Sequence, residues 1–219
     1  MSKNLKKYIA EGIGTAILVL FGCGTAVFTG GDVVATALAF GLSIVAVAYA
    51  LGDISGAHVN PAVSFAMFIN KKLKACEFGF YVLAQVIGAF AGSLLLWAII
   101  AISGSDKAIT GLGANGFGAL GAWGAFLVEV ILTFVFVYAI LGVTGDKSKS
   151  HIAGIVIGLV LAFVHILGIR LTGTSVNPAR SFAPAVIMGG EVFGQVWVFL
   201  LAPFVGAAIA ACTYKLLNK

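Results

Sequence analysis

Six apolar runs divide this chain, at Leu5–Phe28, Val33–Leu51, Phe78–Ile102, Trp123–Val143, Ile152–Ile169 and Phe193–Leu216. Each is close to the roughly 20 residues that a helix needs to cross the hydrocarbon core of a bilayer, about 30 Å thick. A water-soluble globule has no interior large enough to hide them. The chain is 61% hydrophobic and only 10% charged, against about 25% charged residues in an ordinary soluble domain. Two further apolar segments, Asn60–Ile69 and Asn177–Met188, suit helices too. At about 1.5 Å of rise per residue they reach only halfway across the core, which predicts re-entrant half-helices. The 29 glycines agree with closely packed membrane helices, where small residues let backbones approach, as Gly88-Ala89-Phe90-Ala91-Gly92 would allow.

The basic residues predict an orientation. Lys3, Lys6, Lys7, Lys71, Lys72, Lys74, Lys147, Lys149, Lys215 and Lys219 fall on one side of a six-span layout, and the other side keeps Lys107 and Arg170. A positive excess marks the cytoplasmic face, so both termini are expected there. These lysines sit in separate short loops and form no single basic face, which argues against nucleic-acid binding. The start imitates a signal peptide, and Leu20-Phe21-Gly22-Cys23 faintly imitates a lipoprotein cleavage site. The apolar run from Ile13 to Phe28 carries straight through that point, however, and bulky Phe21 stands where a small residue belongs. Cys23, Cys76 and Cys212 have no C-x-x-C or Cys/His spacing, so they read as free thiols, with neither a disulfide framework nor a metal site.

The chain also repeats itself. SGAHVNPAVSFA at Ser55–Ala66 and TGTSVNPARSFA at Thr172–Ala183 align at an offset of 117, and at 118 Glu11, Thr15 and Gly88 meet Glu129, Thr133 and Gly206. Each copy holds three spans and one half-helix, giving one domain, 1–219, with halves at about 1–115 and 116–219. An odd number of spans forces the second copy to enter from the opposite side, so the repeat is inverted. The two half-helices then dip in from opposite faces, and their starts meet near the midplane.

Those starts are Asn60-Pro61-Ala62 and Asn177-Pro178-Ala179. Asn is a strong N-cap, and Pro at the first helical position sacrifices no intrahelical bond. Two helix N-termini facing each other place about half a positive charge each beside any pore between them. Cations, hydronium included, would be repelled. Asn amide N–H groups could also donate to a passing water oxygen, turning its hydrogens outward and breaking the proton relay along a file of waters.

The paired NPA motifs, the repeat, and the Glu at the start of each half closely resemble the aquaporin family of major intrinsic proteins, over nearly the whole chain. The phrases ALAFGLS, SGAHVNPAV and TSVNPARS look most like the orthodox bacterial water channels of the aquaporin Z type. The resemblance implies an all-α membrane fold of six spanning helices and two half-helices. It implies homotetramers with one pore per subunit, in the bacterial inner membrane. It also implies an outer constriction of one aromatic, one His, one small residue and one Arg, which by position fall on Phe40, His165, Thr174 and Arg180. At offset 117 these face Ile157, Ala48, Ala57 and Val63, so the symmetric scaffold is made polar and tight at one end only.

Individual residues keep a structural reading beside the functional one. Arg180 is costly in a membrane, by about 3 kcal/mol on insertion scales, so it lines water or clamps loop carbonyls. His165, inside an apolar span, is a filter residue or a hydrogen-bonded core histidine, and Phe40 alone is not diagnostic. The carbonyls of Gly56, Ala57, His58 and Val59, and of Gly173, Thr174 and Ser175, precede each half-helix and need partners that a water-filled pore supplies. His58 lines the inner mouth or braces its loop. Glu11 and Glu129 could serve proton coupling, but in the family such residues accept loop N–H bonds and hold the carbonyls toward the pore. His151, with Asp146, Lys147 and Lys149, reads as a solvated turn.

Water is thus the expected permeant and the lipid bilayer the expected surrounding. No cofactor is implied, and there is no nucleophile–base pair for enzyme chemistry. The nearest alternative is a glycerol facilitator on the same scaffold; those channels have Gly in place of the His and Asp after the Arg, where this chain has His165 and Ser181. A secondary transporter shares inverted repeats and broken helices but needs a coupling-ion cluster that the sequence lacks. A structural membrane protein with a closed pore would keep the same scaffold.

Overall fold

The computed structural model describes residues 1–104 and 111–218. Lys107, Lys219 and the side chain of Lys147, all counted in the charge argument above, lie outside the described residues. The chain forms α1 (Lys3–Phe28), α2 (Val33–Ser55), α3 (Pro61–Ile69), α4 (Ala75–Ile102), α5 (Gly121–Gly145), α6 (Ala153–Thr172), α7 (Pro178–Met188) and α8 (Gly190–Leu217), with short 3-10 turns before α5 and α6. Six of these are long and apolar enough to cross a membrane, and α3 and α7 are the two half-length helices. The expected spans agree to within a few residues. The largest shift is at the end of α2, which runs on to Ser55, and a smaller one is at the start of α4, at Ala75. Both extensions add polar or small residues that apolar periodicity does not count.

Local chemistry sets the half-helix starts. Asn60 and Asn177 stand in extended conformation, and their side chains accept from Ala62 N–H and from Ala179 and Arg180 N–H. Pro61 and Pro178 occupy the first helical positions, where no N–H is needed. Upstream, Gly56 (φ 88°) and Gly173 (φ 74°) end α2 and α6 in the left-handed conformation that glycine adopts without a Cβ penalty.

The inverted repeat is visible as matched packing. In α4, Gly88 lies on the Gly12 carbonyl of α1, and in α8, Gly206 lies on the Val130 carbonyl of α5, so that a Cβ at either position would strike backbone. Between the halves α2 packs on α6. A Cβ on Gly41 would sit 2.6 Å from the Gly158 oxygen, and one on Gly158 would sit 2.5 Å from the Gly41 oxygen. The starts of α3 and α7 touch at the centre.

One end of the bundle gathers the helix termini that carry the lysines. Lys7 pairs with Glu77 at 2.9 Å, Lys72 Nζ donates to the Thr144 carbonyl at 3.4 Å, and Lys215 Nζ caps the end of α3 at the Ile69 carbonyl. In the turn between α5 and α6, Ser148 donates its N–H and hydroxyl to Asp146 and holds that carboxyl below the usual carboxylate range. The His151 carbonyl accepts from Tyr49. The bundle's outer surface is apolar, with Phe163 68% and Trp123 77% exposed. Such a surface is suited to lipid rather than to water.

Candidate functional site

Each half builds its pore loop around one buried carboxyl group. In the first half Glu11 Oε1 accepts from Ser55 Oγ (2.7 Å) and His58 N–H (2.9 Å), and Oε2 accepts from Val59 N–H (2.7 Å) and Gln85 Nε2 (2.7 Å). In the second, Glu129 Oε1 accepts from Thr172 Oγ1 (2.6 Å) and Ser175 N–H (2.8 Å), and Oε2 accepts from Val176 N–H (2.9 Å). Both carboxyls are fully buried. Every partner of the two carboxyls is a donor, and the oxygens act as acceptors only.

The braces hold an unusual backbone. Ala57 (φ 49°) and Val59 (φ 43°) in one loop, and Thr174 (φ 46°) and Val176 (φ 45°) in the other, all lie in the left-handed region. For a β-branched residue this is rare, and such strained positions cost about 1–3 kcal/mol each. Hydrogen bonds to charged groups contribute about 1.5–3 kcal/mol each. Two N–H···carboxyl bonds per loop are therefore large enough to hold two left-handed residues. Without the carboxyl, those N–H groups would be buried without partners.

At the centre the halves interlock. Asn60 Nδ2 donates to the Val176 carbonyl at 2.7 Å, and Asn177 Nδ2 donates to the Val59 carbonyl at 2.9 Å. Each amide therefore commits one N–H to the opposite loop. The sequence expectation, that amide N–H groups donate to a passing water, then falls to the other N–H of each amide. The second N–H of each amide remains, and both Asn residues line a lumen.

That lumen is narrow. Its wall includes Leu18, Phe40, His58, His165, Asn177 and Arg180, and it offers about 10 Å³ to the centre of a water molecule, close to the room one water needs. Toward the lysine end it adjoins a wider vestibule of about 330 Å³ that includes Gly56, Ala57, His58, Lys72 and Thr144. Ile44, His58 and Phe136 belong to both walls. His58 thus lines both spaces and also contacts Ser64 Oγ through Nδ1 at 3.1 Å. Burial holds the Lys72 ammonium below the ordinary lysine range.

At the other end Phe40 and His165 stack with ring centroids 4.4 Å apart, and the Arg180 guanidinium lies 5.0 Å from the Phe40 centroid. His165 Nδ1 is 2.8 Å from the Leu161 carbonyl, the bond of a core histidine, while Nε2 is buried without a partner among the described residues. Arg180 donates to Asn115 Oδ1 at 2.5 Å and to the Gly173 carbonyl at 3.5 Å. Thr174 is placed differently. Its hydroxyl is buried against Gly168, where a Cβ would strike it, and does not reach the lumen wall. Ser175 and Val176 border the lumen instead.

Four participants escaped the sequence reading. Gln85 bridges Glu11 and Ser64; a lone amide in an apolar span was its available signal. Ser55 and Thr172 brace the glutamates, and their place in the repeat, at offset 117, could have shown them. Asn115 comes from the connection between α4 and α5, where no periodicity applies.

The pattern of the family described as Major intrinsic protein matches residues 1–214. The chain is 45% identical to Glycerol uptake facilitator protein-like 6 of Lactiplantibacillus plantarum over 216 residues, covering 98% of this chain and 99% of the relative. It is 39% identical to Aquaporin Z of Rhodopseudomonas palustris, covering 98% and 94%. Among solved structures, the aquaglyceroporin of Plasmodium falciparum superposes with a TM-score of 0.87 at 27% identity, covering 97% of this chain and 96% of that one. With six spanning helices, two half-helices meeting at paired Asn-Pro-Ala starts, and relatives matched over at least 94% of their length, the chain belongs to the major intrinsic protein family and is an integral membrane channel of the aquaporin type.

Proposed function

We propose that this protein is a passive, water-selective channel that excludes protons and ions. The observation that carries the reading is the interlock of Asn60 and Asn177 beside a lumen with room for about one water. One N–H of each amide anchors the opposite loop, leaving the other for the oxygen of a passing water. Two helix starts set their positive ends against cations at the same point. Phe40, His165, Thr174 and Arg180 are proposed as the selectivity filter, Thr174 through its backbone. The carbonyls of the two loops serve as acceptors along the file, and Glu11 and Glu129 serve as their supports. The halves, about 1–115 and 116–219, work as one domain, and the subunits assemble as homotetramers. Both termini face the cytoplasm of a bacterial plasma membrane, a reading supported by the lysine excess at that end and by the bacterial relatives.

A second reading, glycerol conduction, is favoured by the names of the Lactiplantibacillus and Plasmodium relatives. Against it stand the stacked Phe40–His165 pair and the small lumen volume. Stopped-flow shrinkage of proteoliposomes separates the two. Water selectivity requires fast shrinkage under an impermeant osmolyte, no re-swelling when glycerol is the osmolyte, and no dissipation of a pH gradient. Glycerol re-swelling above that of empty liposomes would reverse the assignment. In the same assay Phe40→Trp combined with His165→Gly should raise glycerol flux, and flux staying at background would mean that those side chains do not set the width.

A further inference from the structure

We infer that Asn115 is a positioning residue for selectivity, holding the Arg180 guanidinium at the narrow end of the lumen; this rests on the proposed filter role of Arg180. Arg180 is 2% exposed, and its Nε has no partner among the described residues. Among the described residues only two groups accept from the guanidinium, Asn115 Oδ1 at 2.5 Å and the Gly173 carbonyl at 3.5 Å. The first is short, as expected for a donor that carries charge; the second is at the limit of a hydrogen bond. Asn115 therefore supplies most of the directional hold, and the Phe40 ring 5.0 Å away supplies a face without direction.

The residue is itself fixed from several sides, which makes it a reference point rather than a follower. It is 3% exposed. Its Nδ2 donates to the Thr172 carbonyl at 3.0 Å, and Oδ1 also accepts from Ser181 Oγ at 2.7 Å. The neighbouring Gly116 N–H donates to the same Thr172 carbonyl at 3.3 Å, and Phe117 N–H donates to Gln195 Oε1 of α8 at 2.7 Å. Gly113 lies so close to Cys23 of α1 that an added Cβ would come within 2.7 Å of it. Thr172 in turn donates to Glu129. One carbonyl-to-carboxyl chain thus joins the crossing loop, the second pore loop and the arginine. The first half offers no counterpart, because Val63 stands where Arg180 does and needs no acceptor.

The test compares Asn115→Ala, Arg180→Ala and the double variant as proteoliposomes. Permeability to water, glycerol and protons is measured on one preparation of each and normalised to reconstituted protein. Loss of a hydrogen bond to a charged group should release the guanidinium about tenfold more often. The expected result is a proton-to-water or glycerol-to-water ratio raised about tenfold in Asn115→Ala, in the direction of Arg180→Ala, with the double variant no leakier than Arg180→Ala alone. A purely structural role would lower yield and all three fluxes together. An unchanged ratio in Asn115→Ala beside a raised one in Arg180→Ala overturns the inference and leaves the filter reading standing. An unchanged ratio in Arg180→Ala sinks the filter reading and takes the inference with it. Should Asn115→Ala not assemble, Asn115→Leu decides: it fills nearly the same space without an acceptor and should show the raised ratios, and parental ratios would overturn the proposal.

Discussion

The two pore loops share one backbone and differ in their furniture. Residues 56–60 and 173–177 follow the same path, with left-handed residues at matched positions and a buried glutamate behind each. Around the first loop, Glu11 has a fourth donor in Gln85, which also ties down Ser64, and Tyr81 donates to the Ser55 carbonyl. Around the second, Glu129 has three donors, and the extra contacts belong to Arg180, Ser181 and Asn115. The first loop's additional bonds serve holding, and those of the second serve a charge. A duplicated scaffold thus supplies identical geometry twice, and side chains that differ between the copies, inside the repeated motif and beyond it, assign them different work.

The comparison can be broken most severely at the charge. Arg180→Val gives the second half the residue of the first. A unit charge about 5 Å away at an effective dielectric constant of about 20 is worth about 3 kcal/mol, or about a hundredfold in rate. Cation or proton leak should rise on that order while water flux persists; a leak at the parental level in a pH-gradient assay would remove Arg180 from the barrier.

A smaller effect separates the two glutamates. In Glu11→Gln, whichever way the amide turns, its NH₂ faces two existing donors. In Glu129→Gln it can face Val176 N–H alone. Both variants should unfold at lower temperature in detergent with unchanged solute selectivity. Glu11→Gln should lose more, by about 1–3 kcal/mol, the cost of one further unmatched buried group. Equal losses would mean that Gln85 is not a brace, and a new proton flux in either variant would restore the transporter reading.

The smallest effect is expected at His58, whose counterpart at offset 117 is Ser175. His58→Ser removes a wall common to lumen and vestibule and leaves both N–H···Glu11 anchors available. Water flux should shift only slightly, without loss of proton exclusion. A marked rise in flux would place the rate-limiting neck at His58 instead of at Phe40 and His165.

Much of this was legible in the residues because the governing rules are local. Length and apolarity set the spans, Asn and Pro set the half-helix starts, and an odd count of spans set the inversion. The glutamates were legible because a carboxyl inside an apolar run has to answer to something. What stayed hidden depended on where side chains turn in three dimensions. Nothing in the order of residues says that Thr174 packs its hydroxyl on Gly168, or that each Asn reaches across to the other loop's valine carbonyl. Asn115 lies in a connection with no periodicity, 65 residues from the arginine it holds.

The seam between α2 and α6 has a mechanical consequence. Gly41 and Gly158 press backbone against backbone, each within reach of the other's carbonyl oxygen, and the short side chains of Val45 and Ala162 close the joint around them. A carrier that rocks one half against the other must slide such a joint once per cycle, whereas here the joint works as a weld. Net movement through the protein should therefore follow the imposed gradient alone, run equally well in either direction, and require no stroke.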